Sequence, residues 1–168
     1  GVMVAAEVAA MVPHQVRQMV LINTSARRFS PFYHRLQPTA YPQLVRALLP
    51  LSAESREPVL QALISNRPDL RQQTVAEWLA IQQQFPCKTR AIANQLIAAA
   101  RYHGRPLNPC EKSLLLVSAG DRLVHPDCSI RMAEAWQVPL NIHPSAGHDL
   151  PLDDPEWVIN CITRWLAY

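Results

Sequence analysis

Two short segments, the apolar residues 19–22 and the mostly apolar residues 113–117, stand between polar, turn-forming residues. Runs of this length are typical of strands that are buried on both faces of a parallel sheet. A third segment, residues 138–143, alternates apolar with polar residues and contains Pro139. Because proline cannot donate a hydrogen bond to a neighbouring strand, this segment predicts a strand at or near a sheet edge.

Between the first two predicted strands, four groups of apolar residues recur at helical spacing and predict four helices. One helix is enough to join two parallel strands, so we interpret residues 29–103 as an inserted helical lid. The alternative is a separate helical domain. The four groups are Leu44, Val45, Leu48 and Leu49; Val59, Leu60, Leu63 and Ile64; Val75, Trp78, Leu79 and Phe85; and Ile92, Leu96 and Ile97. Prolines punctuate this stretch, at Pro31, Pro38, Pro42, Pro50, Pro58, Pro68 and Pro86.

Three further helices are predicted outside the lid. Residues 1–10 are apolar on almost every side, so we expect a buried helix there, and the lack of a capping residue before it indicates a chain cut within a larger structure. A second helix is expected at about residues 126–137. The last helix should begin with Asp154 as its cap and Pro155 at its first position.

This order of elements predicts an α/β layer fold with a mainly parallel sheet. Its expected parts are a core helix and strand at residues 1–28, the lid at residues 29–103, and a C-terminal core at residues 104–168.

Composition excludes several classes of function. Of 168 residues, 49% are hydrophobic and 17% are charged, which fits one folded domain and not a disordered chain. The net charge of +3 comes from scattered arginines, so a nucleic-acid-binding surface is not expected. No G-x-G-x-x-G motif follows a predicted strand, which argues against a dinucleotide-binding protein. No apolar run reaches the ~20 residues of a membrane span.

The cysteines favour a reducing compartment. Cys87, Cys110, Cys128 and Cys161 show no C-x-x-C spacing, and no secretory signal is evident. We therefore expect free thiols and a cytoplasmic protein.

Asp121 and His148 are the candidate catalytic residues, because each follows a glycine at the end of a predicted strand. In an open α/β sheet the carboxyl ends of the strands form the edge where ligands bind. A histidine that acts as a general base needs a carboxylate to fix its tautomer and to stabilise its positive charge. An acid followed by a histidine at successive strand ends therefore predicts a catalytic pair.

These two loops resemble the acid and histidine loops of α/β-hydrolases. The matching segments are residues 118–124 (SAGDRLV) and residues 145–151 (SAGHDLP). Residues 1–9 and 16–25 resemble the stretch that follows the nucleophile elbow of that family, whose pattern is G-x-S-x-G. Gly1 would then be the last glycine of the elbow, and the serine would lie two residues before it.

The resemblance implies a Ser-His-Asp triad that cleaves a small ester or related acyl substrate, without a cofactor. The serine and the oxyanion-hole donors would all lie upstream, so this chain is expected to be inert by itself. Two alternatives remain open. One is a dehalogenase with an aspartate nucleophile, and the other is a binding module that keeps the fold without catalysis.

The remaining polar candidates receive other predictions. Asp127, Asp153 and Asp154 are expected at helix starts, and Asp149 should point away from His148. His143 is expected on the polar face of its strand, and His125 could line the pocket. No metal site is expected, because no histidines have the i, i+4 spacing of a helical zinc motif. Three histidines have no evident partner: His14, His34 and His103. The expected substrate-pocket residues are Met3, Leu123 and Val124, whereas Trp78 and Phe85 are expected to serve in packing more than as pocket walls.

Overall fold

The computed structural model describes residues 1–49, 52–86 and 89–167. Its strands are β1 (Gln18–Ile22), β2 (Lys112–Ser118) and β3 (Leu140–His143). Its helices are α1 (Val2–Met11), α2 (Phe32–Arg35), α3 (Tyr41–Leu48), α4 (Ala53–Ile64), α5 (Arg71–Gln84), α6 (Thr89–Arg101), α7 (Asp127–Trp136), α8 (Leu150–Asp153) and α9 (Pro155–Leu166).

The three strands form one parallel sheet in the order β1, β2, β3. Val20 of β1 is in register with Leu114 of β2, and Val117 of β2 is in register with Ile142 of β3. The central strand is buried from Ser113 to Ser118, because helices cover both faces of the sheet. The predicted α/β fold with a parallel sheet is therefore confirmed, and within the described residues β3 lies at one edge of the sheet, as predicted.

The side chains of β2 alternate between two apolar cores. Leu115 packs with α1 and α7 on one face, whereas Leu114 and Leu116 pack with α9 on the other. The helix predicted at the start of the chain is present as α1, and Ala6 and Ala9 on it are buried. The prediction that α1 is buried on all sides is wrong.

The exposed side of α1 carries Val4, Val8 and Met11, which are 65%, 44% and 75% exposed. The physical reason is that α1 packs against β1 through its alanine face, and no described element covers the opposite face.

The stretch between β1 and β2 is helical, as predicted, and contains α2 to α6. Leu49 and Phe85 lie one residue beyond the helices in which they were expected. The expectation that Pro58 interrupts a helix is wrong, because Pro58 lies inside α4. Pro58 costs α4 one hydrogen bond in its first half, and the packing of α4 against α3 and α5 supports its continuation. The division of the chain at residues 28 and 103 stays a prediction.

The two ends of this helical stretch lie side by side. The Arg27 amide donates to the carbonyl of Tyr102 at 3.1 Å, and the Arg28 amide donates to the carbonyl of His103 at 2.9 Å. Gly104 follows with a φ of +85°, and a Cβ there would lie 2.5 Å from Cβ of Ala26. Only glycine fits both the left-handed conformation and this close approach. The entry and the exit of the helical stretch thus lie next to each other.

Three cysteines in the described residues, Cys110, Cys128 and Cys161, are free thiols, and Cys87 lies outside those residues. In the described part of the chain, no helix has the length and apolar character needed to cross a membrane.

Candidate active site

The side chains of Asp121 and His148 meet at the carboxyl edge of the sheet. Asp121 lies in the turn after β2, and His148 lies in the loop after β3. Oδ2 of Asp121 is 2.7 Å from Nδ1 of His148. The aspartate side chain is 1% exposed and the histidine side chain is 29% exposed. The structure therefore brings together the two residues that the sequence singled out, with the carboxylate inside and the imidazole toward solvent.

The carboxylate of Asp121 is fixed by its own loop. Its Oδ1 accepts hydrogen bonds from the backbone N–H groups of Leu123 at 2.8 Å and Val124 at 3.0 Å. A short aspartate side chain readily reaches the backbone that follows it in a turn. With both oxygens engaged, the acid presents one fixed face to the imidazole. Within the described part of the chain, the ring of His148 forms a hydrogen bond only through Nδ1, so Nε2 stays available.

Asn23 joins the end of β1 to the end of β2 and to the histidine loop. It follows β1 with a φ of +47°, a conformation that asparagine tolerates better than most residues. Its Nδ2 donates to Oγ of Ser118 at 3.0 Å and to the carbonyl of His148 at 2.8 Å. Its Oδ1 accepts from the amide of Ser118 at 2.8 Å. The sequence predicted only that Asn23 ends a strand, because the partners of its side chain are distant along the chain.

Asp153 does not cap a helix, so that prediction is wrong. It ends α8, is 4% exposed, and accepts three hydrogen bonds. Its Oδ1 accepts from Oγ of Ser65 at 2.6 Å, and its Oδ2 accepts from the amides of Asn66 at 2.9 Å and Gly147 at 2.6 Å. Asp154 alone caps α9, by accepting from the amide of Trp157 at 3.0 Å. A buried carboxylate thus holds the histidine loop, one residue before His148, against the end of α4.

His143 is buried, not on a solvated face, so that prediction is also wrong. It is 8% exposed, whereas Ile142 beside it is 51% exposed. Its ring packs edge-to-face on Trp157, and its Nδ1 accepts from the amide of Ala146 at 2.8 Å. The capping bond from the Trp157 amide, together with His143 at 3.2 Å, lowers the pKa of the Asp154 carboxyl below its ordinary value. The prediction fails because α9 covers the face of β3 that the alternating sequence pattern assigned to solvent.

The predicted pocket residues are placed as follows. Leu123 is half-buried and Val124 is 8% exposed, and both lie beside the acid because their amides bind it. Met3 is half-buried on α1, and Trp78 is half-buried on α5. Phe85 is 72% exposed. Their contact with a substrate stays a prediction.

Three other side chains bring atoms able to bind a metal within 4.8 Å of one another: His34, His125 and Asp127. The two imidazole rings stack, with centroids 4.3 Å apart and planes 18° apart, so their lone pairs lie in two nearly parallel planes instead of converging on one point. Nδ1 of His125 also accepts from the amide of Asp127 at 3.2 Å. The arrangement is a stacked histidine pair beside a carboxylate, and tetrahedral coordination would require the rings to turn. His34 therefore has a partner that the sequence did not reveal.

A model of the alpha/beta hydrolase family matches residues 1–160 of the chain. No match was found among curated proteins.

Solved structures share the fold at low sequence identity. BpoC of Mycobacterium tuberculosis H37Rv, described as a non-heme bromoperoxidase, aligns with 99% of this chain at 21% identity and a TM-score of 0.70. The 2-hydroxy-6-oxo-6-phenylhexa-2,4-dienoate hydrolase of Rhodococcus sp. strain RHA1 aligns with 100% at 15% identity and a TM-score of 0.72. A thermophilic esterase of Thermogutta terrifontis aligns with 97% at 20% identity and a TM-score of 0.61. The chain spans 63%, 61% and 61% of the length of these three proteins.

Proposed function

Because the chain belongs to the alpha/beta hydrolase family, we propose that it supplies the acid and the general base of a Ser-His-Asp triad that cleaves a small ester or a related acyl compound. Asp121 is the acid and His148 is the base. The nucleophilic serine would lie two residues before Gly1 in a longer protein.

One observation carries the proposal: a buried carboxylate is bonded to Nδ1 of an imidazole whose Nε2 has no hydrogen-bond partner among the residues that the structure describes. The 2.7 Å contact between Asp121 and His148 selects the tautomer with its proton on Nδ1, which leaves the lone pair of Nε2 able to accept a proton. Because the carboxylate is buried and already accepts two backbone hydrogen bonds, it holds its orientation as the ring becomes charged.

The chemistry follows from this arrangement. As the serine oxygen bonds to the carbonyl carbon of the substrate, Nε2 of His148 takes the hydroxyl proton and the carbonyl electron pair moves onto oxygen. That pair returns when the bond to the alcohol breaks, and the imidazolium gives its proton to the leaving oxygen. Water then repeats these steps on the acyl-serine bond and releases the acid. Asp121 stabilises the imidazolium and keeps its negative charge throughout.

Exposed apolar side chains beside the acid loop support an apolar substrate. Phe32 and Tyr33 on α2 are 73% and 49% exposed. The segment that contains them is held to the acid loop, since the Gln37 amide donates to the carbonyl of Leu123 at 2.9 Å. An apolar acyl or alcohol group would bury this surface and gain ~25 cal/mol for each Å² removed from water.

The test compares this chain with an N-terminally extended form that includes the residues before Gly1. We expect the extended form to turn over a short-chain aryl ester and to react covalently with a fluorophosphonate, and the short chain to do neither. Asp121→Asn and His148→Ala in the extended form should lower kcat by about 10³-fold or more.

The matched control is Asp69→Asn, because Asp69 is an exposed aspartate whose ion pair is with Arg67 and not with His148. Turnover by the short chain would contradict the proposal, and so would full activity in the His148→Ala form. Haloalkane turnover without fluorophosphonate labelling would identify an aspartate nucleophile instead. Binding of an acyl compound without any turnover would identify a binding module.

A further inference from the structure

The end of α4 and the turn after it lie between the two catalytic loops. We call residues 62–67 the anchor segment. Nη2 of Arg122, the residue after the acid, donates to the carbonyls of Ala62 at 2.7 Å and Ser65 at 2.9 Å. The amide of Asp149, the residue after the base, donates to the carbonyl of Ile64 at 2.8 Å. One short segment of the helical stretch is therefore bonded to both loops.

Asn66 makes the most direct bridge. Its Nδ2 donates one hydrogen bond to the carbonyl of Gly120 at 2.9 Å and another to the carbonyl of Ser145 at 2.9 Å. Gly120 is the residue before Asp121, and Ser145 opens the turn that leads to His148. Both donors of a single side-chain amide are thus used to join the acid loop to the histidine loop.

The Gly120 side of this amide is tightly packed. A Cβ at Gly120 would lie 2.5 Å from the carbonyl oxygen of Ser145 and 2.7 Å from Nδ2 of Asn66. The carbonyl oxygens of Gly120 and Ser145 both carry partial negative charge and approach the same point. Without a donor between them they would repel each other or admit water, and either outcome separates the loops.

We propose that Asn66 is a positioning residue for the Asp121–His148 pair, and that through it the helical stretch sets the geometry of the catalytic site. The inference rests on the proposed function. The backbone amide of Asn66 donates to Asp153, so the side chain of Asn66 extends from a fixed point. A displacement of α4 would be transmitted to both loops at once.

The experiment uses the extended protein with Asn66→Ala and Asn66→Asp, and Asn94→Ala as the matched control, since Asn94 is exposed on α6. Three quantities are measured: kcat and KM, the pH profile of kcat/KM, and the proton NMR signal of the hydrogen between Nδ1 of His148 and Asp121. We expect Asn66→Ala to lower kcat by ~10–100-fold with less than about a twofold change in KM, because misplacement of a catalytic group by about 1 Å costs rate on that scale.

The pH profile and the proton signal report the pair itself. With a looser carboxylate the imidazolium is less stabilised, so the acidic limb of the profile should move to lower pH, and the proton signal should broaden or shift. Asn66→Asp should lower kcat more than Asn66→Ala does, because it places a carboxylate against two carbonyl oxygens.

If both Asn66 variants match Asn94→Ala in kcat, pH profile and proton signal, the inference is overturned. A lower melting temperature with kcat and the proton signal unchanged overturns it as well, because Asn66 would then serve only the stability of the fold. Full activity of Asp121→Asn and His148→Ala would instead defeat the proposed function, and the proton signal of the Asn66 variants would still decide whether Asn66 positions the pair.

Discussion

Replacement of Asp153 by asparagine removes a buried charge while it keeps the shape of the side chain. The carboxylate is 4% exposed and accepts from Ser65, Asn66 and Gly147 at 2.6, 2.9 and 2.6 Å. A hydrogen bond to a charged group contributes ~1.5–3 kcal/mol, and one between neutral groups contributes ~0.5–1.5 kcal/mol. Each of the three bonds therefore loses about 1 kcal/mol in the variant, and the free energy of unfolding should fall by ~3 kcal/mol.

Denaturant unfolding followed by circular dichroism measures this loss. The midpoint for Asp153→Asn should move to lower denaturant concentration with an unchanged m-value, since the fold buries the same surface. Glu134→Gln is the control, because it neutralises an exposed carboxylate on α7 and should change stability by less than ~0.5 kcal/mol. A midpoint for Asp153→Asn equal to that of Glu134→Gln would refute the reasoning that this charge stabilises the two loops.

Two further predictions concern the close approach of the loops and the ionisation of a tyrosine. Gly120→Ala places a Cβ 2.5 Å from the carbonyl oxygen of Ser145 and should destabilise the fold by ~1–3 kcal/mol, whereas Gly1→Ala meets nothing within 4 Å and should be neutral; equal unfolding midpoints would contradict this. Burial, with the hydrogen bond to Glu7, raises the pKa of Tyr102 to about 12 from an ordinary 10.0, so a tyrosinate absorbance titration should show one late-titrating group that Tyr102→Phe removes. The stability that this raised pKa represents is complete below pH 10.0 and is lost as the pH rises toward 12, and a Tyr102→Phe variant with the same alkaline titration would contradict the assignment.

The proximity of Asp121 and His148 could be predicted from the sequence because it depends on local patterns. Each follows a glycine in the turn after a predicted strand, and a parallel sheet brings the ends of its successive strands to one edge. Once the runs before Asp121 and His148 were interpreted as parallel strands, the proximity of the two side chains followed from the topology. The structure places the two side chains 2.7 Å apart, in agreement with this expectation.

The residues that hold the two loops together could not be predicted, because their hydrogen-bond partners are distant along the chain. Asn66 bonds to carbonyls 54 and 79 residues away, and Asp153 bonds to Ser65 across 88 residues. The Asp-Asp-Pro pattern at residues 153–155 has the composition of a helix start, and only the fold shows that its first aspartate turns inward. His143 was misjudged for a related reason, since the alternation of a strand does not reveal which helix will later cover it.

The pairing of Arg27 and Arg28 with Tyr102 and His103 has a consequence for how relatives of this protein can diverge. A piece of chain whose entry and exit lie side by side can be exchanged for another of different length without rebuilding the sheet below it. Relatives could then differ in this one contiguous stretch of chain while the sheet stays the same. The contacts of residues 62–67 limit this freedom. A replacement segment must supply its own hydrogen-bond donors to the two loops, because Asp121 and His148 would otherwise lose this support.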